Sequence, residues 1–391
     1  MKPLSDDIRY ALPFAAFLND LGCLGVEPVA QGGQRYAVIA ARSNLRWWLL
    51  PLDSRPAAAA GLDMLQPVTG AAKLAKMAAR GLALLGPHAL LGCGHLRLSR
   101  LPDLDETFDG RATHMAFFTG TDGPHRKTSM QIMDIDGAIL GYAKMSRALH
   151  LRPYLRNEAN VLTRLKELGL TSVDVPTVQV IHDDDEMTLL ITDSLKSSSH
   201  SVPLHPGIEH LFFLNELRAK TERLGACDVL DGLERRMVEL ESVGGTEWTE
   251  RIASVTAHLR PVQDEIPVYL AHGDFTPWNT FLQDGRLYVF DWEYAEPSWP
   301  VGYDFVHFML ATIPPGQQPQ KLRRVLDNLA SAHFDHNQGA ARRALLLSLV
   351  CHSMFYLGRL AEVQGAMTDW DDGPVRAALI DGLLNETGLG A

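Results

Sequence analysis

From Thr113 the apolar positions come in short runs, and each run predicts a strand. The run in HMAFFTG ends in a glycine-bearing loop, TGTDGPHRK. TSMQIMDIDGAILGYAKMS then reads as two strands joined at Asp136-Gly137, a dipeptide that tolerates the positive φ of a tight hairpin turn. In RPYLRNEANVLTRLKELG the apolar residues Leu155, Ala159, Leu162 and Leu165 recur at helical spacing, with Pro153 near the start and Gly169 past the end. PTVQVIHDDDEMTLLITDSL predicts two further strands across an acidic turn. The order is strand, glycine loop, strand, strand, helix, strand, strand.

After the connector KSSSHSVPLHPG the periodicity becomes helical nearly throughout, in six segments from IEHLFFLNELRAKTERLG to ARRALLLSLVCHSMFYLGRLAEV. One segment interrupts it: IPVYLAHGD and RLYVFDWE read as short strands, with Asp284-Gly285 turning between them. Residues 1–110 are the least legible. QRYAVIAARSNLRWWLLPL predicts two strands around a turn at Arg42 to Asn44, and GAAKLAKMAARGLALLG a helix with Lys73, Lys76 and Arg80 on one side. That basic face suits a solvated helix packed on its neighbours better than a membrane surface. Trp47 and Trp48 are expected to fill a core.

The chain has 391 residues, more than one core usually organises, and three regions are expected: 1–110, 111–197 and 198–391. A net charge of −11 argues against nucleic acid as a partner. Residues 1–110 hold 11 of the 36 Lys and Arg and 10 of the 47 Asp and Glu, so the remainder carries −12, which favours a cationic ligand. Cys23, Cys93, Cys227 and Cys351 lack the paired spacing of zinc or redox sites and read as reduced thiols. No secretory signal is evident, and the apolar stretch from Gly81 is broken by Gly86, Pro87 and His88, so it predicts no membrane span. A cytoplasmic protein is expected.

The interrupting segment carries the chemistry. YLAHGDFTPWNTFLQDGRLYVFDWEYAEP places a His, several acids and an Asn beside Val, Phe and Trp, where unpaired charge is costly. Two adjacent strands would bring Asp274 and Asn279, on the first connection, together with Asp291, at the end of the second strand. A divalent metal with oxygen ligands would tolerate such a cluster, and Asp274 could then face a hydroxyl as proton acceptor or positioning group.

HGDFTPWN followed by the Asp of VFDWE resembles the catalytic and metal-binding signature of the aminoglycoside phosphotransferase and choline kinase family, small-molecule relatives of protein kinases. The resemblance extends over roughly residues 111–391. It implies an α+β, two-lobed, protein-kinase-like fold: a small antiparallel-sheet N-lobe and a mostly helical C-lobe, here with an extra N-terminal α+β region. It implies that Asp274 orients or deprotonates the acceptor hydroxyl, that Asn279 and Asp291 hold Mg2+, and that His272 braces the loop. Lys144 would meet the nucleotide phosphates and Glu158 would pair with Lys144. Gly120 and Gly123 would let backbone amides approach phosphate, although Pro124 removes one donor and the spacing departs from the usual glycine repeat. Glu293 is either a helper at a second metal or a structural neighbour, and Asp304 either steadies the catalytic loop or caps a helix.

Gly273 stands where protein kinases carry an Arg, and little chain separates Asp291 from the helix near Asp304, leaving no long loop for a protein substrate. The expected activity is ATP-dependent transfer to a hydroxyl of a small molecule, an amino alcohol, sugar, metabolite or antibiotic, with GTP an open alternative donor. Acids around Glu209, Glu216 and Glu296 are expected to contact the acceptor. The competing expectation is an inactive nucleotide-binding scaffold whose residues 1–110 bind a partner or membrane. The oligomeric state has no sequence signal.

Overall fold

The computed structural model describes residues 4–9, 11–41, 45–65, 70–86, 90, 94–104, 107–197, 200–241, 245–362 and 370–385. The chain divides into two compact units: residues 1–167 with 175–200, and residues 168–174 with 201–391.

In the first unit, α1 (Asp6–Arg9) and α2 (Leu12–Cys23) precede the hairpin β1 (Gln34–Ala40) and β2 (Trp47–Pro51). The turn expected at Arg42 to Asn44 lies outside the described residues. The helices α3 (Arg55–Gly61) and α4 (Gly70–Leu85) follow, then β3 (Gly94–Leu98), β4 (His114–Phe118), β5 (Thr128–Met133), β6 (Ile139–Ser146) and α5 (Arg152–Leu168). The two-residue strand β7 (Val173–Asp174) belongs to the second unit, and the chain returns to the first for the hairpin β8 (Val178–Asp183) and β9 (Thr188–Asp193). These strands form one antiparallel sheet in the order β3-β1-β2-β4-β5-β6-β9-β8.

That order corrects the expected boundary at residue 110. Strands β1 to β3 continue the sheet formed by β4, β5, β6, β9 and β8, joined by the pairing of Leu49 with Phe117 and Trp48 with Phe118. One apolar cluster spans both regions. Phe14, Phe17 and Leu21 of α2 pack with Trp47, Phe117, Ile132, Met145 and Ile191. The aromatic contacts are edge-on, with Phe14 5.6 Å from Trp47 and Phe17 5.9 Å from Phe117, the geometry that ring quadrupoles favour. Helix α2 thus covers part of this face of the sheet. A second cluster sets the alanines of α3 against Leu50, Ala116 and Met133, small side chains that let the helix lie close to the sheet.

Helix α4 forms as its spacing predicts, but its basic side is not all solvated. Arg80 and Lys76 both reach the buried carboxylate of Asp63, at 2.9 and 3.2 Å.

The second unit is mostly helical: α6 (Ile208–Thr221), α7 (Cys227–Glu241), α8 (Thr246–Leu259), α9 (Tyr303–Ala311), α10 (Gln318–His333), α11 (Gln338–Glu362) and α12 (Gly373–Asn385). Helix α11 alone among the described residues is long and apolar enough to cross a membrane, and 72% of its most apolar stretch is buried among its neighbours. Two small sheets interrupt the helices. One orders β10 (Arg223–Leu224), β11 (Pro267–Ala271) and β14 (Glu296–Pro300); the other orders β12 (Thr280–Gln283), β13 (Arg286–Val289) and β7.

The expected pairing of the two motif strands is therefore corrected. Asp284-Gly285 does turn a hairpin, but β13 pairs with β12, the TFLQ stretch, whereas β11 lies in the other sheet. The four residues of β12 are too few for period two to show against the turns that flank them. Cys23, Cys227 and Cys351 are free thiols, and Cys93 lies outside the described residues.

Candidate active site

In the first unit β6 and α5 bring Lys144 and Glu158 together. The ammonium lies 2.8 and 2.7 Å from the two carboxylate oxygens of Glu158. Glu158 is 2% exposed, and the ammonium helps offset the cost of burying its charge. The period of α5 turns Glu158 inward with Leu155, Ala159 and Leu162 rather than outward with the surface acids.

The glycine loop leaves β4 at Thr119 and enters β5 at Thr128. Gly120 has φ +82, and a Cβ there would meet the Lys127 carbonyl oxygen at 2.5 Å, so only glycine fits. Gly123 takes φ +134. The Pro124 carbonyl accepts a 2.8 Å hydrogen bond from Nε2 of His150. The loop is thus a defined turn bearing both expected glycines.

In the second unit the motif occupies the connections at the ends of β11, β12 and β13. Asp304, in the first turn of α9 and fully buried, accepts from the backbone amides of His272 and Gly273 at 2.8 and 3.1 Å and from the Tyr269 hydroxyl at 2.9 Å. Three donors hold an anion that burial pushes towards a raised pKa. Asp304 is therefore the anchor of the loop. Gly273 has φ +87, and a Cβ would sit 2.0 Å from the Tyr294 carbonyl oxygen. This close backbone approach explains the glycine where protein kinases place an Arg.

His272 braces the same loop. Its Nε2 donates to the Phe290 carbonyl at 2.9 Å, its Nδ1 accepts from the Asp274 amide at 3.2 Å, and its ring lies 4.5 Å from that of Trp292. Those partners fix one neutral tautomer, and burial lowers the pKa accordingly. It joins the Asp274 connection to the end of β13.

Asp274 itself is half-buried and held from two sides. Nδ2 of Asn279 donates to its Oδ2 at 2.8 Å and to its backbone carbonyl at 2.9 Å. Nε2 of His307 donates to its Oδ1 at 2.9 Å. Sequence reasoning missed His307; the signal was its spacing three residues after Asp304, which places both on one face of α9. The Phe290 amide donates to the Asn279 carbonyl at 3.1 Å, so Asn279 and Asp291 leave neighbouring strand ends, as expected. Asp291 takes φ +70, a left-handed conformation that Asp adopts more readily than most residues and that recurs at functional sites.

The donor set fits a hard divalent cation. Asp291 and the buried Glu293 bring carboxylate oxygens within 4.8 Å of one another. With the Asn279 nitrogen committed to Asp274, its Oδ1 is the atom left for a cation.

The acids expected to meet an acceptor separate. Glu216 accepts from the amides and hydroxyls of Thr171 and Ser172 at 2.5 to 3.0 Å, bonds that hold its carboxyl down to about 2 although desolvation opposes them. It is occupied by its own chain, which corrects that expectation. Glu209 sits in the first turn of α6, where an acid complements the helix dipole. Glu296 remains: it lines a concavity of about 250 Å³ with Asp228, Arg236, Trp299, Cys351 and Met354.

Residues 200–344 match the model of the phosphotransferase enzyme family. No curated protein sequence matches the chain. Among solved structures the chain is similar to a thermostable mutant of an aminoglycoside phosphotransferase in ternary complex with ADP and hygromycin B, at a TM-score of 0.50 and 13% identity over 72% of this chain and 96% of that one. It is also similar to a choline kinase from Streptococcus pneumoniae (TM-score 0.40, 13% identity, 66% and 89% covered) and to a glucosamine kinase (0.39, 16%, 93% and 94%). Only the first reaches a TM-score that bears on the fold. The fold is that of the kinase-like phosphotransferases, an antiparallel-sheet unit and a mostly helical unit in one α+β chain. The matched segment covers the whole HGDFTPWN motif, and over residues 200–344 the expected resemblance to the phosphotransferase family holds.

Proposed function

We propose that the protein transfers the γ-phosphate of ATP, in the presence of Mg2+, to a hydroxyl of a small cationic acceptor such as an amino alcohol or amino sugar. The observation that carries this reading is the carboxylate of Asp274, held from opposite sides by Asn279 and His307 on a loop that Asp304 anchors. A carboxylate fixed in this way is suited to accept the proton of an incoming hydroxyl without reorganising, and phosphoryl transfer depends mainly on such positioning and on charge neutralisation. Lys144, oriented by Glu158, would bind the nucleotide phosphates, and the loop with Gly120 and Gly123 would offer them backbone amides. Asn279 and Asp291 would hold the metal, with Glu293 beside them. A bound magnesium ion would neutralise phosphate charge.

Support for an amine on the acceptor comes from the net acidity of residues 111–391 and from Glu296, which shares a concavity with the indole of Trp299 and with Arg236, while Asp228 there is paired with Arg223 at 3.1 Å. Glu296 lies opposite Ala271 in the β11–β14 pairing, three residues before Asp274. ATP consumption and phosphate transfer measured over a panel of amino alcohols, amino sugars and aminoglycosides test the reading. Transfer by the wild type that Asp274→Ala abolishes is the expected result. Nucleotide binding with no turnover on any acceptor, unchanged by Asp274→Ala, would make the protein a binding scaffold instead.

A further inference from the structure

Residues 1–110 have no part in the function proposed above, yet one of their side chains reaches the glycine loop. Asp20, in the last turn of α2, is 3% exposed. An acid near a helix C-terminus opposes the helix dipole, and burying its charge adds a desolvation cost. Two partners offset both: the Arg126 guanidinium at 2.5 Å and the Thr128 hydroxyl at 2.7 Å, each on Oδ2. Arg126 uses its other nitrogen on the loop itself, with Nη1 donating to the Thr119 carbonyl at 2.8 Å and to the Thr128 hydroxyl at 3.1 Å. Thr119 and Thr128 are the two ends of the loop, and both are fully buried. The guanidinium therefore closes the loop's base, and the carboxylate of α2 holds the guanidinium in place. The Thr119 hydroxyl also accepts from the Trp47 amide at 3.2 Å, a second tie between the loop and the N-terminal region.

We propose that α2 is a working part of the nucleotide site: Asp20, acting through Arg126, is a positioning residue that sets the conformation of residues 119–127 and with it the affinity for nucleotide phosphates. The inference rests on the reading of that loop as a phosphate cradle. A planar fork suits it, because Nη2 serves Asp20 while Nη1 serves Thr119 and Thr128, whereas an ammonium would have to reach all three from a single nitrogen.

The test compares wild type, Asp20→Asn and Arg126→Lys in the full chain, by nucleotide KM, acceptor KM and kcat, and by amide hydrogen exchange of residues 119–127. Both variants are expected to raise nucleotide KM by about tenfold, with acceptor KM unchanged, kcat within about twofold, and faster exchange confined to the loop. Arg126→Lys keeps an ion pair with Asp20 but loses the fork, so it separates loop closure from simple neutralisation of a buried charge. Should either variant lower the thermal midpoint while leaving nucleotide KM as in wild type, the pair is a core contact only and the proposal fails. If the wild type transfers no phosphate at all, the functional reading fails first. The exchange measurement then still decides the clamp, which is overturned by unchanged exchange at residues 119–127 in Asp20→Asn. If Asp20→Asn does not fold, Arg126→Lys carries both readouts.

Discussion

Replacing Asp304 by Asn changes one atom in the anchor of the catalytic connection. The carboxylate accepts three hydrogen bonds in a site without solvent, two on Oδ2 from His272 and Tyr269 and one on Oδ1 from Gly273. An amide offers one oxygen and one NH2, so either the Gly273 amide or the His272 and Tyr269 donors must face another donor. A buried donor left unmet costs about 1–3 kcal/mol, and the new NH2 is itself unmet, for a gross loss of roughly 2–5 kcal/mol. Removing a charge that burial disfavours returns part of this, so Asp304→Asn is expected to destabilise by about 2–3 kcal/mol. Urea unfolding at neutral pH measures it. Loosening the amides of His272 and Gly273 shifts Asp274, and a displacement near 1 Å costs on the order of 100-fold in rate. The variant should therefore lose kcat at temperatures where it is fully folded. Tyr269→Phe removes one donor to the carboxylate and a long 3.4 Å acceptor of the Asp304 amide, and should cost about 1.5 kcal/mol, with far less effect on kcat. An Asp304→Asn protein within about 0.5 kcal/mol of wild type and with unchanged kcat would refute the anchoring argument.

Lys144→Ala removes the ion pair of the buried Glu158 carboxylate and should cost about 1–3 kcal/mol in thermal or urea unfolding, with a raised nucleotide KM, whereas Glu158→Gln keeps a hydrogen bond to Lys144 and should be milder on both. His307→Ala should lower kcat by at least about tenfold with nucleotide KM unchanged, and His307→Gln, whose amide can still donate to Asp274, should recover part of it in the same steady-state assay. His210 and His333 are held by burial at about 4 in the folded protein. The unfolded chain binds their protons near the ordinary histidine value, so stability is full above about pH 6.5 and is lost as pH falls towards about 4. Urea midpoints should decline across that window, and His210→Gln should flatten the decline.

Local patterns in the sequence determined a large part of this protein. Helical period located α4 to α11, because a 3.6-residue repeat is written in each segment regardless of its neighbours. The constellation of Asp274, Asn279 and Asp291 was legible because charged residues beside apolar runs need a reason to be there, whereas the Lys144–Glu158 pair followed only from the resemblance to the phosphotransferase family. Pairing between distant segments was not legible. That β13 takes β12 rather than β11 as its partner, and that β1 to β3 extend the sheet of β4 to β9, depends on which apolar faces are buried together, and period two is the same for every partner a strand could choose. The same holds for single polar residues. Glu216 read as a free acid and proved to cap the turn at Thr171 and Ser172, while Asp20 and His307 gained their partners across 106 and 33 residues of chain. An acid or a histidine in a helix has the same local signature whether solvent or a buried donor faces it, so only the packed tertiary structure could assign the partners of those three.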